Sequence, residues 1–396
     1  MAKHFDLKKQ IKLHDKTLLR RLFVEEHGVL SDLPWDELRP HDIEPIVEAW
    51  NGIAHDIRRK VELILQDVNE LADGRTHRVL VEDLERSHPE LKERFTAWPS
   101  SSDRALWAYL DARLLFDEAA KFARAEAYRG GQFSNRWNSL PKEPLGVTPA
   151  LTESLEMGVR DYYREKELRA DHCRVHHYHR GNGADYFYAY IPEWADKRLG
   201  FDANGELTPR ELNYAFHNVF IFEPKDGSLE IIAKGGKKVQ MPLRRTFCQS
   251  ILNLAVKDTD PIKPCYHLDH LMESNFHFNT EPEDKIAHVW LRRIRFETIV
   301  KGAKLHSGIL EFGDQVSLHE ARGLADQFLD AYDYKRTDWS VDQIGIQIEF
   351  VGDGSRKRPT MTFHIGLPNT CDLKSKPDEV REVGERCIRR WGILHD

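Results

Sequence analysis

Residues 171–194 read DHCRVHHYHRGNGADYFYAYIPEW, and the pattern predicts a β-hairpin. Side chains alternate across a strand, so Cys173, Val175, His177 and His179 share one side and Arg174, His176, Tyr178 and Arg180 the other. Gly181 and Gly183 flank Asn182 and supply the positive φ that a tight reversal needs. On the return strand Tyr186, Tyr188 and Tyr190 lie opposite Phe187, Ala189 and Ile191, a composition suited to a pleated, half-buried surface. Pro192 has no N–H to give and ends the ladder.

The hairpin divides a helical first half from a strand-rich second half. Upstream, Leu18, Leu19, Leu22 and Phe23 form an apolar stripe that Gly28 can stop, and Pro45 precedes Ile46, Val47 and Trp50. Ile57, Val61, Ile64, Leu65, Val68 and Leu71 share one helical face, with Gly74 as the expected end. A further helix is expected from Ser102 to Ala127, capped by Ser102 or Asp103. Residues 129–149 are polar and bear Gly and Pro, as a linker would, and another helix is expected over 151–166. Downstream, AFHNVFIF (215–222) and SLEIIA (228–233) flank the turn Pro224-Lys225-Asp226-Gly227 and predict a second hairpin. A helix from about Pro242 to Ala255 follows. Strands at 286–300, 344–351 and 360–365, with helices at 318–331 and 378–391, complete the chain.

These readings give an α+β fold. It has a helical N-terminal domain (1–130), a linker (131–150), a central antiparallel sheet with helices and two β-hairpins (151–280), and a small α+β C-terminal module (281–396). The length of 396 residues, 40% hydrophobic and 31% charged composition suit a globular chain of several domains. No apolar run is long enough to span a bilayer, and MAKHFDLKKQIKLHDK lacks the apolar core of a signal peptide, so a cytoplasmic location is expected. The five cysteines, Cys173, Cys248, Cys265, Cys371 and Cys387, are scattered, as reduced buried thiols are. A formal charge of −7 means that any nucleic-acid contact must come from a local basic patch.

The chain has no P-loop, no G-x-S-x-G elbow, no H-E-x-x-H, no paired C-x-x-C and no dinucleotide fingerprint after a strand. What remains are dispersed groups. Lys234, Lys237, Lys238, Arg244 and Arg245 form a run that no acid interrupts, crossing Gly235-Gly236 into a helix. Backbone N–H groups with Lys and Arg make a phosphate cradle, to which Arg174, Arg180 and the tyrosines, Tyr188 among them, would add base contacts. Arg292, Arg293 and Arg295, with Arg356, Lys357 and Arg358 at an expected hairpin tip, could extend the groove or pair with surface acids. His177 and His179 share a strand face and could bind a divalent metal with His267 or His270, the only cofactor this sequence suggests. Asp185 and Glu193 are further possible ligands. Glu230 and Lys234 share a strand face, although the tighter E-x-K spacing of metal-dependent nucleases is not met.

The sequence therefore points first to a non-catalytic nucleic-acid-binding or sensor subunit of a bacterial multi-protein system, such as those that act against phage. DNA or RNA would bind the basic patch, and the helical domain would dock a protein partner. The alternatives are a metal-dependent hydrolase or nuclease using the His cluster, and a structural interaction protein.

Overall fold

The computed structural model describes the chain except for residues 1–5, 40–41, 130–133, 182, 202–204, 259–262, 301–305, 314–315, 353–358, 374–375, 377 and 395–396. Asn182 and the expected turn tip carrying Arg356, Lys357 and Arg358 lie outside the described residues. The chain forms two compact units, residues 1–130 and 131–396.

The first unit is helical: α1 (Leu7–Leu13), α2 (Lys16–Arg20), a π-helical turn Arg21–Glu26, α3 (Glu44–Trp50), α4 (His55–Leu71), α5 (Gly74–Ser87), α6 (Lys92–Thr96), α7 (Ser101–Asp111) and α8 (Arg113–Arg129). Gly28, at φ 64°, stops the π turn as its position in sequence predicts. Two boundaries differ from the sequence reading. Gly74 opens α5 rather than merely ending α4. The long helix expected from Ser102 breaks at Ala112, whose ψ of 53° is not helical. Ser100, not Ser102 or Asp103, caps α7, its hydroxyl accepting from the Asp103 N–H at 3.0 Å.

The second unit is built on one ten-stranded antiparallel sheet. Its strands are β1 (Ser134–Trp137), β2 (Arg174–His179), β3 (Asp185–Pro192), β6 (Ala215–Glu223), β7 (Ser228–Ile232), β8 (Ile286–Thr298), β9 (Ser307–Glu311), β10 (Trp339–Phe350), β11 (Thr360–Gly366) and β12 (Thr370–Cys371). A separate ribbon pairs β4 (Asp196–Phe201) with β5 (Leu207–Leu212). The spatial order is β2-β3-β6-β7-β1-β12-β11-β10-β8-β9. The expected hairpin is β2–β3, with Val175 opposite Ala189 and His177 opposite Phe187.

The stretch expected to be a linker supplies β1, which lies in the middle of the sheet. It pairs with β7 on one side and β12 on the other. The central and C-terminal strand groups therefore join through it. Four polar-looking residues gave no strand signal, because both ladders come from neighbours distant in sequence.

Four helices dress this sheet: α9 (Pro149–Glu167), α10 (Lys237–Ser250), α11 (Leu318–Asp330) and α12 (Asp378–Arg390). α9 and α10 cover the side bearing Trp137, Phe187, Phe220 and Ile231, where Leu155, Val159, Leu243 and Phe247 pack. α11 and α12 cover the side bearing Ile344, Ile346, Ile365 and Cys371, where Ala325, Leu329, Cys387 and Ile388 pack. Register shows that these are opposite faces. Cys371 stands opposite Ser134 and Thr370 opposite Asn135, so Trp137 shares its side with Asn135 and Thr370, not with Cys371. One half of the sheet is thus clothed by helices on one face, and the other half on the reverse.

The free edge at β2 is blunted by α9. The Glu156 carboxylate accepts the outward Val175 N–H at 2.8 Å and pairs with Arg174. Among the described residues no helix is long and apolar enough to cross a membrane. All five cysteines are free and buried.

Candidate nucleic-acid interface

After β7 the chain turns through Ala233-Lys234-Gly235-Gly236 and enters α10. Gly235 (φ 101°) and Gly236 (φ 63°) hold conformations that L side chains rarely adopt, and a Cβ on Gly235 would strike the Val239 side chain. The glycines let the helix begin at Lys237, a turn before the expected start near Pro242, which now lies inside the helix. Lys234, Lys237 and Lys238 are exposed, and among the described residues none of them is seen in an ion pair.

One turn on, buried Gln240 anchors this end. Its Nε2 donates to the Ala233 carbonyl at 3.2 Å, and its Oε1 accepts from Asn135 Nδ2 of β1. Asn135 Oδ1 in turn accepts from the Thr370 hydroxyl of β12 at 3.2 Å. The start of α10 is thereby tied to β1 and β12, at the border of the half of this face that α9 and α10 cover.

The rest of the basic run separates. Arg245 is neutralised by Asp258 at 2.7 Å. Arg244 lies over the Trp137 ring at 5.9 Å, with buried Nε and Nη1 atoms that have no hydrogen-bond partner. Arg174 pairs with Glu156 at 3.1 Å on the edge strand β2, four strand steps from β1. Tyr188 is fully buried, edge-on to Tyr178 and tilted against His217. With Tyr186 also buried, neither ring can stack on a base, a correction to the sequence reading. Alternation identified their shared face but carried no information on whether that face is covered.

The histidines do not converge. His177 Nε2 and His179 Nδ1 both approach Asp185 Oδ1, at 2.8 and 2.9 Å, and the Asp185 side chain is buried. His267 and His270 stack on each other at 4.6 Å, and His270 Nε2–H donates to the Trp391 carbonyl at 2.8 Å. His177 lies on Phe187 in the α9–α10 core, whereas His270 packs on Phe276 beside the α11–α12 core. Among the described residues no three His, Cys, Asp or Glu side chains are arranged to hold a metal ion. The expected ligand set, His177 and His179 with His267 or His270, is therefore not assembled. Glu230, weighed as a nuclease carboxylate, is buried and bound to Arg136 at 3.1 Å.

A surface that the sequence reading touched only through its arginines lies beside the lysines. On β8, β10 and β11 the apolar residues Leu291, Ile294, Ile344, Ile346, Ile348 and Phe363 point into the core under α11 and α12. The reverse face of the same strands is polar and aromatic. His288 and Trp290 stack there, centroids 5.3 Å apart and planes 28° apart. Gln347 stands opposite Trp290, and Gln343 opposite both Arg295 and Gly366. Thr360, Thr362 and His288 are exposed, and Trp290, Gln343, Gln347 and His364 are half-buried. Gly345 sits at the centre. A Cβ there would press on the His364 ring and on Arg293 Cβ, so glycine lets those side chains cross the sheet closely. Arg295 is held by Asp342 (Nε–Oδ2 2.8 Å), and Arg293 lies 3.5 Å from Glu311. Arg292 occupies a register shift and donates to the Gly313 carbonyl.

This polar face is on the α10 side of the sheet. Asn135, Thr370, Gly366, Gln343 and Arg295 succeed one another in register from β1 to β8. The arrangement is a floor of polar and aromatic side chains with a lysine-bearing helix start along its inner border. Glu349 stands on the same face, opposite His288 and Thr360, and Lys234, Lys237 and Lys238 supply the positive charge along the border.

No known family model matches the chain, and no curated protein matches it.

Proposed function

We propose that this protein is a non-catalytic subunit that binds nucleic acid, taking the phosphate backbone on Lys234, Lys237 and Lys238. The observation that carries the reading is the grouping of three exposed lysines, none seen in an ion pair among the described residues, at one helix start in a chain of net charge −7. Arg174, Arg245 and Arg295 are paired with acids, which leaves these lysines as a local source of positive potential. The first turn of α10 adds backbone N–H groups that have no acceptor within the helix. A protein partner is assigned to the helical unit, where Leu63 and Leu114 point outward from α4 and α8.

The test is binding of labelled DNA and RNA across a salt series, with EDTA in one arm. The expected result is salt-steep binding that survives EDTA and is lost in Lys237→Glu/Lys238→Glu. Binding that is indifferent to this charge reversal would remove the lysine site. Binding that disappears in EDTA would favour a metal-dependent activity instead.

A further inference from the structure

We infer that the ligand is single-stranded nucleic acid, and that its bases lie on the open face of β8, β10 and β11. This inference rests on the lysine site proposed above and names what continues from it.

The two faces of these strands differ in kind. The inner face carries the apolar residues that receive α11 and α12. A protein helix docking on the outer face would need a similar apolar surface, and the outer face does not offer one. It offers a stacked His288–Trp290 pair and the amides of Gln343 and Gln347. Aromatic rings accept any base on their π face, and an amide both donates and accepts, as base edges require. Stacking of this kind is open to unpaired bases, whereas in a duplex the bases are already stacked on one another.

The floor also meets the lysines at a suitable separation. From β1, where Gln240 ties down the start of α10, to β8, which carries Trp290, there are four strand steps, about 19 Å at the usual strand spacing. A short extended oligonucleotide covers that distance, with phosphates on the lysines and bases over Gln347 and Trp290. Gly345 keeps the middle of the path low.

The experiment compares labelled single-stranded DNA, single-stranded RNA and the matching duplex by fluorescence anisotropy at several salt concentrations. The proteins are wild type, Trp290→Ala, Trp290→Phe, Gln347→Leu and Lys237→Glu/Lys238→Glu, each checked for folding by circular dichroism. Wild type should favour single strands. Trp290→Ala should weaken single-strand binding roughly tenfold without changing its salt slope, and Trp290→Phe should restore most of the loss. Gln347→Leu should flatten any base preference. The lysine double variant should instead lower both the affinity and the slope. Duplex bound more tightly than single strand, or single-strand binding unchanged in folded Trp290→Ala, would overturn the platform. If Trp290→Ala does not fold, Trp290→Leu takes its place, keeping apolar bulk without a ring, and unchanged single-strand binding by folded Trp290→Leu would overturn it. Loss in the lysine variant would then still leave the proposed function standing. Wild type that binds no nucleic acid would overturn both.

Discussion

Arg136 and Glu230 stand opposite each other on β1 and β7, with Nη1 and Oε1 3.1 Å apart and both side chains buried. Arg136 Nη2 also reaches Asp226 at 3.0 Å, and its Nε donates to Asn138 at 3.0 Å. Arg389 of α12 binds the same Asp226. Burial works against the Arg136 charge, but Glu223, Glu230 and Asp226 outweigh it and raise the guanidinium pKa above its ordinary value. Two arginines and three acids thus fasten the sheet's middle strands to the last helix. Arg136→Ala would strand buried carboxylates and is expected to cost about 3–5 kcal/mol. Urea denaturation should show this loss, and Arg136→Met/Glu230→Met should lose less than Arg136→Ala alone. Equal losses in both variants would mean that the ion pair is not what matters at this site.

α9 and α10 touch at a glycine. A Cβ on Gly158 would overlap Cγ2 of Thr246. Gly158→Ala should destabilise the chain by about 1–3 kcal/mol through overpacking. Thr246→Ser removes the offending methyl group, so the double variant should recover most of the loss. A double variant as unstable as Gly158→Ala would place the damage elsewhere.

The thiols should be silent. Burial is the first cause in every case, and it pushes Cys173, Cys371 and Cys387 up to about 12 and Cys248 and Cys265 up to about 11. The thiolate is the reactive form. At pH 8 the native protein should release almost no colour from a disulfide reagent, and all five thiols should react after denaturation. Rapid labelling of the folded chain would contradict their placement.

In the helical unit, Asp103 governs an acid-sensitive contact. Burial opposes ionisation of its carboxyl, and His14, whose Nδ1 lies 3.5 Å away, together with hydrogen bonds from the Asp15 N–H and the Ser100 hydroxyl outweighs that effect, lowering its pKa below the ordinary 3.8. The Asp15 N–H and Ser100 O–H bonds are 2.8 and 2.7 Å long. A depressed carboxyl contributes stability that is complete above the unfolded pKa and is lost as pH falls through the folded one. Asp103→Asn should therefore cost about 1–3 kcal/mol near pH 6. The gap from wild type should close below about pH 3.8. A gap that stays constant with pH would remove the carboxylate from this account.

Much of the fold was legible because its signals are local. The His-rich and Tyr-rich strands alternate cleanly around Gly183, and Pro224–Gly227 marks the second turn. β1 was not legible, since Ser134–Trp137 has neither alternation nor length, and its burial is imposed by β7 and β12. The β4–β5 ribbon was missed as well. Leu199 and Phe201 remain 67% and 68% exposed, so no core pattern marks it. For the site, residue types indicated the lysines but could not sort paired from unpaired charges. Arg245 and Arg174 meet acids thirteen and eighteen residues away. The Trp290 face needed the sheet order, because alternation shows that a strand has two faces but not which one a helix covers.

The position of β1 also constrains how the protein is made. Asn135 bonds to Thr370, a residue 235 positions later. During synthesis β1 emerges long before β12, so the central ladder cannot close until residues 370 and 371 have left the ribosome. Until then one side of β1 is an unpaired edge. Contacts this remote in sequence are slow to form and expose such edges to other chains. A nascent or truncated protein ending before residue 370 would thus be the aggregation-prone species, and dependence on chaperones should end abruptly once the last strand is released.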